Sequence, residues 1–447
     1  MRMNKREFLK AGGALVGGSI LSRVVGAGQT ARRTNWSGNL TYSTTNLQTP
    51  GSVDEVRAAV KSATKLRALG ARHSFNAIAD STVEQLSVER LNEMTLNEKA
   101  RTVTVGGGVK YSQLAPWLHD KGYAVHNLAS LPGITVAGAC ATATHGSGLH
   151  NLATAVAALE LVTADGEMLS LSHEKDGDRF LGAVVALGSL GVVTRVTLNV
   201  QPTYQVAQSV YRDLSFDKLG EHFGEVFGAG YSVSVFTDWE HHRATQVWIK
   251  KRLEGNEEIR WDEEFFGAKL AKEKLHPLEG HPTESVTDQM GIPGPWYDRL
   301  PHFRIGQTPS SGQELQSEFF VPLERGFEAV TAVEKLHAHI SPLLFITELR
   351  TIAADQLWMS MAYQRASLAI HFTWKPMWPE VQKVLPMIEE QLRPFQPRPH
   401  WAKLFTLPPA RLEPCYPRLP QFRALIEHYD PKGKFRNDFV NRNLYGS

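Results

Sequence analysis

The sequence predicts an α+β protein built from two domains, and three observations carry that prediction. A chain of 447 residues is long for one hydrophobic core, so it is expected to divide. From Trp36 to about Val200, short strand-like runs alternate with helical patterns. After Pro202 the texture changes to aromatic strand-like runs interrupted by a long irregular polar stretch. Hydrophobic residues at 42% and charged residues at 21% are the proportions of an ordinary soluble globular chain. A formal charge of +2 gives no electrostatic footprint for nucleic acid.

The first element precedes both domains. Residues 1–27 join a basic start, a Gly/Ala-rich apolar run from Ala11 to Leu21, and small residues at Val25-Gly26-Ala27, the layout of an export signal peptide. The apolar run is about half the ~20 residues that span a bilayer, so stable membrane insertion is not expected. Asn4-Lys5-Arg6-Glu7-Phe8-Leu9-Lys10 resembles a twin-arginine export signal with Lys5 in place of the first arginine. A periplasmic or secreted location follows as the expectation.

In the first domain, "SVDEVRAAVKSATK" opens a helix with a capping box from Ser52 to Glu55 and repeats apolar residues at Val53, Val56, Val60 and Ala63. "RTVTVGGGVKYSQLAPWLHDKGY" reads as a strand ending at Val105, a glycine turn at Gly106 to Gly108, and a helix from about Tyr111. "LELVTADGEMLSLS" is two strands joined by an Asp165-Gly166 turn, and "ALGSLGVVTRVTLNV" leads into another strand. In the second region "YSVSVFTDW", "TQVWIKKR", "SEFFVP" and "LAIHFTW" read as strands, followed by the helix "WPEVQKVLPMIEEQLRPF". "PRPHWAKLF" opens a C-terminal segment. The irregular segment from Glu254 to Ser311 is long enough to be a lid or a disordered excursion.

The common cofactor fingerprints are missing. The nearest approach to a dinucleotide motif, "GAGQTA" at residues 26–31, falls at the signal cleavage region, and no Walker A, HExxH, CxxC or GxSxG pattern occurs. Cys140 and Cys415 match no metal-ligand spacing, so no metal site is expected, and Cys140 reads as a small buried thiol. His241-His242 and the His337/His339 pair lack carboxylate or cysteine company and read as surface histidines. Three small-residue turns remain as cradles for phosphate or a flat ring: Ala68 to Ser74, Gly106 to Gly108, and Ala129 to Gly148. In the third, small side chains let backbone N–H groups approach a pyrophosphate, and Thr142, Thr144 and Ser147 can donate to it; a tightly packed buried turn is the alternative. On the first turn, His73 is either a surface-loop histidine or a nitrogen offered to a ligand. Alternation puts Glu348 and Arg350 on one face of a strand, and His371 and Thr373 on one face of another. Such pairs form cross-strand bridges on a wet sheet or line a pocket. His400 and Lys403 follow in "HWAKLF".

Several of these segments together carry a resemblance. "RHSFN", "VGGGVKYSQLAPWLHDKGY", "LASLPGITVAGACATATHGSG", "GSLGVVTRVTL", "ITELRTIAADQLWMSMAY", "HFTWKP", "PRPHWAKLF" and "HYDPKGKFRNDF" resemble FAD-dependent oxidases of the vanillyl-alcohol oxidase superfamily, most closely alditol oxidases, and by extension sugar-1,4-lactone oxidases. The resemblance runs in order along nearly the whole chain after the signal. It implies an FAD-binding α+β domain over 36–200, a cap over 201–399 with a large antiparallel sheet, and a C-terminal segment 400–447 completing the first domain. It also implies FAD attached covalently through His73 to the flavin 8α-methyl carbon, a reaction for which neutral imidazole is a competent nucleophile. Attachment withdraws electron density from the ring and favours hydride acceptance.

Carried over residue by residue, the resemblance places FAD against Ala68, Leu69, Gly70, Ala71, Arg72, His73 and Ser74 on the first loop. Thr135, Gly138, Thr142, Ala143, Thr144 and His145 would complete the pyrophosphate cradle, with Val193 near the adenine half. Ala129 and Ser130 would sit at the central ring, Ala129 leaving O2 a path, with Arg350 and His400 also against the cofactor. The substrate site would comprise Ser130, Gln316, Glu348, Arg350, His371, Thr373 and Lys403, a mixture of donors and acceptors suited to a polyol. Glu348 and Lys403 are the candidate bases for the hydroxyl proton, and Arg350 is a fixed cation for the substrate oxygen. The implied enzyme is a monomer that oxidises an alditol such as xylitol or sorbitol and passes electrons to O2, giving hydrogen peroxide. A sugar-1,4-lactone oxidase or dehydrogenase is the nearest alternative. A periplasmic sugar-binding protein would also fit the signal and the polar cap, but needs no flavin.

Overall fold

The computed structural model describes residues 32–146, 149–253, 259–306 and 313–446. Residues 1–27, which the sequence reads as an export signal, and Ser147 and Gly148 of the third turn, lie outside the described residues. The first layer holds a five-stranded antiparallel sheet in the order Met94–Asn97, Thr102–Gly106, Val192–Asn199, Val156–Val162, Met168–Ser172. Beside it lies a small parallel sheet of Leu47–Gln48, Gln85–Ser87 and Arg67–Leu69. The helix Val53–Ser62 starts where the capping box predicts: the Ser52 hydroxyl accepts from the Glu55 N–H, and the Glu55 carboxylate accepts from the Gly51 N–H at 2.7 Å. Its apolar stripe of Val56, Ala59 and Val60 packs with Leu66, Leu86, Val88 and Phe435.

The turn Gly106 to Gly108 is a packing device and not a cradle. A Cβ on Gly106 would come within 2.3 Å of the Leu91 carbonyl oxygen, so the backbones of the two segments touch directly. None of the three glycines lines the central cavity.

The second layer is a ten-stranded sheet whose pairings are all antiparallel. Its path runs Glu264–Phe265, Ala268–Leu270, Gln205–Ser215, Arg243–Leu253, Ser232–Thr237, Leu344–Ile352, Ser367–Trp374, Leu315–Pro322, Arg398–Pro399, with Gly294–Pro295 paired to Gln205–Ser215 off the path. One face is dry. Leu349, Leu368, Ile370, Phe372, Phe319 and Val321 share a core with Ala329, Val330 and Val333 of helix Gly326–Glu334 and Val381, Leu385 and Ile388 of helix Trp378–Leu392. Because side chains alternate, the residues between them point to the opposite face, where Phe320 and Ala369 join the core of the first layer and Glu318, Glu348, Arg350, His371 and Thr373 form a polar patch.

The irregular stretch after Arg243–Leu253 is not an excursion from the cap. Its described part, residues 259–306, is fastened by the buried side chains of Val286, Trp296 and Leu300 and by Asp288, which pairs with Lys274, Arg299 and Arg304. The expectation of a disordered excursion is therefore corrected over these residues: they form a packed wall that brings His276, His302 and Phe303 to the cavity. The chain finally returns to the first layer. His400 and Leu404 donate backbone N–H groups to Glu318 and Gln316, Phe435 enters the core of helix Val53–Ser62, and the Asn437 amide donates to the carbonyls of Ala77, Ile78 and Asp80.

Candidate active site

One cavity reaches from the loop 68–75, past the turn 129–145, to the polar face of the large sheet. Its first end is built from backbone. The loop is pinned by its carbonyls: Arg72 O accepts from the Trp36 N–H at 2.8 Å, and Ser74 O and Phe75 O accept from the side-chain amides of Asn35 and Asn39. By contrast the amide N–H groups of residues 70–74 donate to no acceptor among the described residues. Gly70 and Arg72 are exposed and Ala71, His73 and Ser74 half-buried, so this run of amides lines an open cavity where backbone N–H groups can take an anionic ligand. Arg72 at φ 62° turns the loop through the left-handed region. Gly70 and Gly138 both press on Thr135: a Cβ would lie 2.5 Å and 2.8 Å from its hydroxyl oxygen, so no larger residue leaves this channel open. These features fit the phosphates and ribityl chain of FAD.

His73 lines the same cavity, its imidazole stacked on Trp36 at a centroid distance of 4.3 Å and an interplanar angle of 14°. Burial, with Lys403 adding a smaller effect, lowers its pKa to about 4. The ring is therefore neutral at ordinary pH, with a lone pair available.

The other end is built from charged side chains on three neighbouring strands. Register places Glu318 opposite His371 and His371 opposite Glu348, while Gln316 lies opposite Thr373. Glu318, wholly buried, is the hub. Its Oε2 lies 2.7 Å from Lys403 Nζ, and its Oε1 lies 3.0 Å from His145 Nε2 and 3.2 Å from Arg350 Nη2. Burial alone would raise its pKa, but Lys403 and His145 hold it well below the carboxylate range. Glu348 Oε1 lies 2.8 Å from His302 Nε2 and 3.4 Å from Arg350 Nε. Against the effect of burial, Arg350 and His302 hold this carboxyl ionised as well. Lys403 Nζ is also 2.6 Å from His371 Nδ1, whose Nε2 is 3.0 Å from the Thr373 hydroxyl. Burial and Lys403 lower His371 to about 4, so it is neutral, accepting from Lys403 and donating to Thr373. That leaves the Thr373 proton for a ligand.

All the expected substrate residues, Ser130, Gln316, Glu348, Arg350, His371, Thr373 and Lys403, line this cavity, and Arg350 Nη1 reaches the Ser130 hydroxyl at 3.4 Å. Among the expected cofactor residues, Ala68 to Ser74, Ala129, Thr135, Gly138, Thr142, Thr144, His145 and His400 line it too. Two do not. Ala143 is buried in the turn beneath Cys140, its φ of 50° directing the chain rather than a ligand contact. Val193 sits within the five-stranded sheet opposite Leu161, its carbonyl backed against Gly107. His337 and His339 are exposed, as are His241 and His242, and Cys140 is buried. Sequence reasoning missed Glu318 and His302. Glu318 stands two residues after Gln316 and was open to the same alternation argument. His302 lies in a stretch with no periodicity, so no local signal announced it.

Comparison with known proteins defines the class first: residues 46–172 match the FAD binding domain family, and residues 310–443 match the D-arabinono-1,4-lactone oxidase family. The chain is a flavoprotein oxidoreductase. Its fold matches the crystal structure of cholesterol oxidase from B. sterolicum with a TM-score of 0.75 at 15% identity, covering 92% of this chain and 96% of that one. An alditol oxidase of Streptomyces sp. is 44% identical over 92% of this chain and 99% of its own length. An L-gulono-1,4-lactone dehydrogenase of Mycobacterium tuberculosis is 30% identical over 92% of this chain and 98% of its own. The chain belongs to the alditol oxidase family of the vanillyl-alcohol oxidase superfamily.

Proposed function

We propose that this protein oxidises the terminal primary alcohol of an alditol such as xylitol or sorbitol to the aldose, consuming O2 and releasing hydrogen peroxide. One observation carries the proposal: Gln316, Thr373, His371, Glu348 and Arg350, from three adjacent strands, present alternating donors and acceptors to one end of the cavity. FAD, when bound, supplies the hydride acceptor and, once reduced, the electrons for O2. Glu348, held ionised, is the acceptor for the hydroxyl proton. Lys403 and Arg350 stay cationic and stabilise the substrate oxygen as its negative charge grows. Discharging Lys403 would strip the buried Glu318 of its shortest ion pair, so Lys403 keeps its proton and serves as a hydrogen-bond donor, not as the base.

His73 is the attachment point for FAD, a role supported by its neutral ring and by the Trp36 stack that fixes its plane. Residues 36–200 with 400–447 form the FAD domain and 201–399 the cap. The enzyme is exported through its N-terminal segment and works as a monomer.

The match of residues 310–443 to a lactone oxidase family favours a second reading, oxidation of a sugar-1,4-lactone. Substrate profiling decides between them. A rigid lactone leaves several of the site's polar groups unpaired at roughly 1–3 kcal/mol each, so two such groups separate the classes by about tenfold or more. Xylitol or sorbitol should show the higher kcat/KM, with stoichiometric peroxide; a gulono-, galactono- or arabinono-lactone oxidised faster overturns the proposal. On a denaturing gel the wild-type band should keep flavin fluorescence, and His73→Ala should lose it.

A further inference from the structure

Behind the site stands a wholly buried lysine that the chemistry above does not use. Lys250, on strand Arg243–Leu253, is 1% exposed. Its ammonium donates to the carbonyl of Leu300, to Pro301 O at 3.2 Å and to His302 Nδ1 at 3.3 Å. Those three acceptors use all three protons. With Nδ1 accepting, the single proton of a neutral His302 sits on Nε2, the nitrogen 2.8 Å from Glu348 Oε1. The ring cannot turn away. Phe236 and Trp248 meet it edge-on at centroid distances of 5.6 Å and 5.1 Å, and the Ser234 hydroxyl lies 3.5 Å from Nε2.

We propose that Lys250 and His302 are positioning residues, which hold the Glu348 carboxylate in one orientation as the acceptor for the substrate hydroxyl; this rests on the alditol reading of the site. An apolar side chain at position 250 would fill the same space without burying a charge, and a buried ammonium is costly unless a partner gains from it. The gain falls on Glu348, reached through His302. Burial lowers Lys250 to about 7, with Glu348 opposing that fall and Arg350 adding to it, and burial lowers His302 to about 4. The charged and titratable groups around the chain of contacts are thus Lys250, His302, Arg350, His371 and Lys403, all facing Glu348 directly or through one neighbour. His302 and Arg350 favour the ionised carboxylate, so loss of His302 raises the Glu348 pKa and moves the acid limb of kcat/KM to higher pH.

The test compares wild type, His302→Leu, His302→Gln and Lys250→Met as FAD-loaded enzymes. The acid limb with xylitol should rise by roughly one pH unit or more in His302→Leu. Lys250→Met should show a smaller shift in the same direction, and His302→Gln, whose amide still donates, should restore most of the wild-type profile. A substrate-independent readout runs beside it: the protonated carboxyl band in pH-difference infrared spectra, assigned to Glu348 by its absence in Glu348→Gln, should appear at higher pH in the first two variants. Wild-type profiles and spectra in His302→Leu and Lys250→Met overturn the proposal. If His302→Leu fails to retain flavin, Lys250→Met alone decides. A wild-type enzyme inert towards polyols would overturn the alditol assignment, while the infrared comparison would still decide the positioning role.

Discussion

The two ends of the cavity recognise their ligands by different means. The cofactor end offers backbone: amides of residues 70–74 that find no acceptor among the described residues, a left-handed turn at Arg72, and glycines pressed on Thr135. The substrate end offers side chains at alternate positions of three strands, locked by the buried carboxylates of Glu318 and Glu348. Backbone amides are the same whatever residue carries them, so the first end is set by what small residues leave uncovered. The second is set by which side chains face inward and by what pairs with each. The difference predicts that damage at one end costs cofactor and damage at the other costs rate.

The largest effect should follow from breaking the substrate end. Glu348→Gln and Lys403→Met should each slow anaerobic flavin reduction by xylitol by about 10²–10⁴-fold, the range for loss of a positioned proton acceptor or its electrostatic partner, with flavin content unchanged. Burial lowers Lys403 from its ordinary 10.5, so the alkaline limb of the wild-type kcat/KM profile should lie below the usual lysine range and vanish in Lys403→Met. Stopped-flow reduction at a series of pH values measures both. Near-normal reduction in both variants would reduce these residues to structural parts.

An intermediate effect should follow at the cofactor end. Gly138→Val places a Cβ 2.8 Å from the Thr135 hydroxyl, and Gly70→Val one at 2.5 Å. Each should lower bound flavin severalfold, read as the ratio of visible to ultraviolet absorbance. The fraction that does bind should turn over xylitol at close to the wild-type rate per flavin. A lowered rate per flavin would blur the division between the two ends.

The smallest effect concerns acid stability. His302 and His371 titrate near 4 in the folded protein against 6.5 for a free imidazole. The unfolded chain therefore takes up protons first as the pH falls. Stability from these two rings is complete above about 6.5 and is lost as the pH drops through about 4. His371→Gln should flatten the fall in Tm over that window, by about 1 °C per kcal/mol of stability recovered in a chain of 447 residues. An unchanged slope in differential scanning calorimetry would show that other groups govern it.

Much of this architecture was legible locally. The Ser52 cap, the strand before Gly106, the helix from Tyr111 and the aromatic strands of the cap all follow from periodicity and capping chemistry, which act between near neighbours. The pairing of Glu348 with Arg350 and of His371 with Thr373 on common faces came from the same two-residue period. What alternation could not give was the identity of the buried face, because a wet sheet and a lined pocket share one pattern. The helices Gly326–Glu334 and Trp378–Leu392 decided it by covering the apolar side.

Local patterns in the chain were enough for the α+β class, the small-residue cradle and the candidate polar strands, since each depends on residues within about one turn or one strand of each other. It took the folded sheet to show that Glu318 gathers Lys403, Arg350 and His145, which lie 85, 32 and 173 residues away along the chain. The fold likewise decided that the irregular segment carries His302 to Glu348, and that Gly106 to Gly108 are backed against neighbouring backbone away from the central cavity. Ion pairs between distant strands are fixed by the order and register of the sheet, and no local pattern encodes that order.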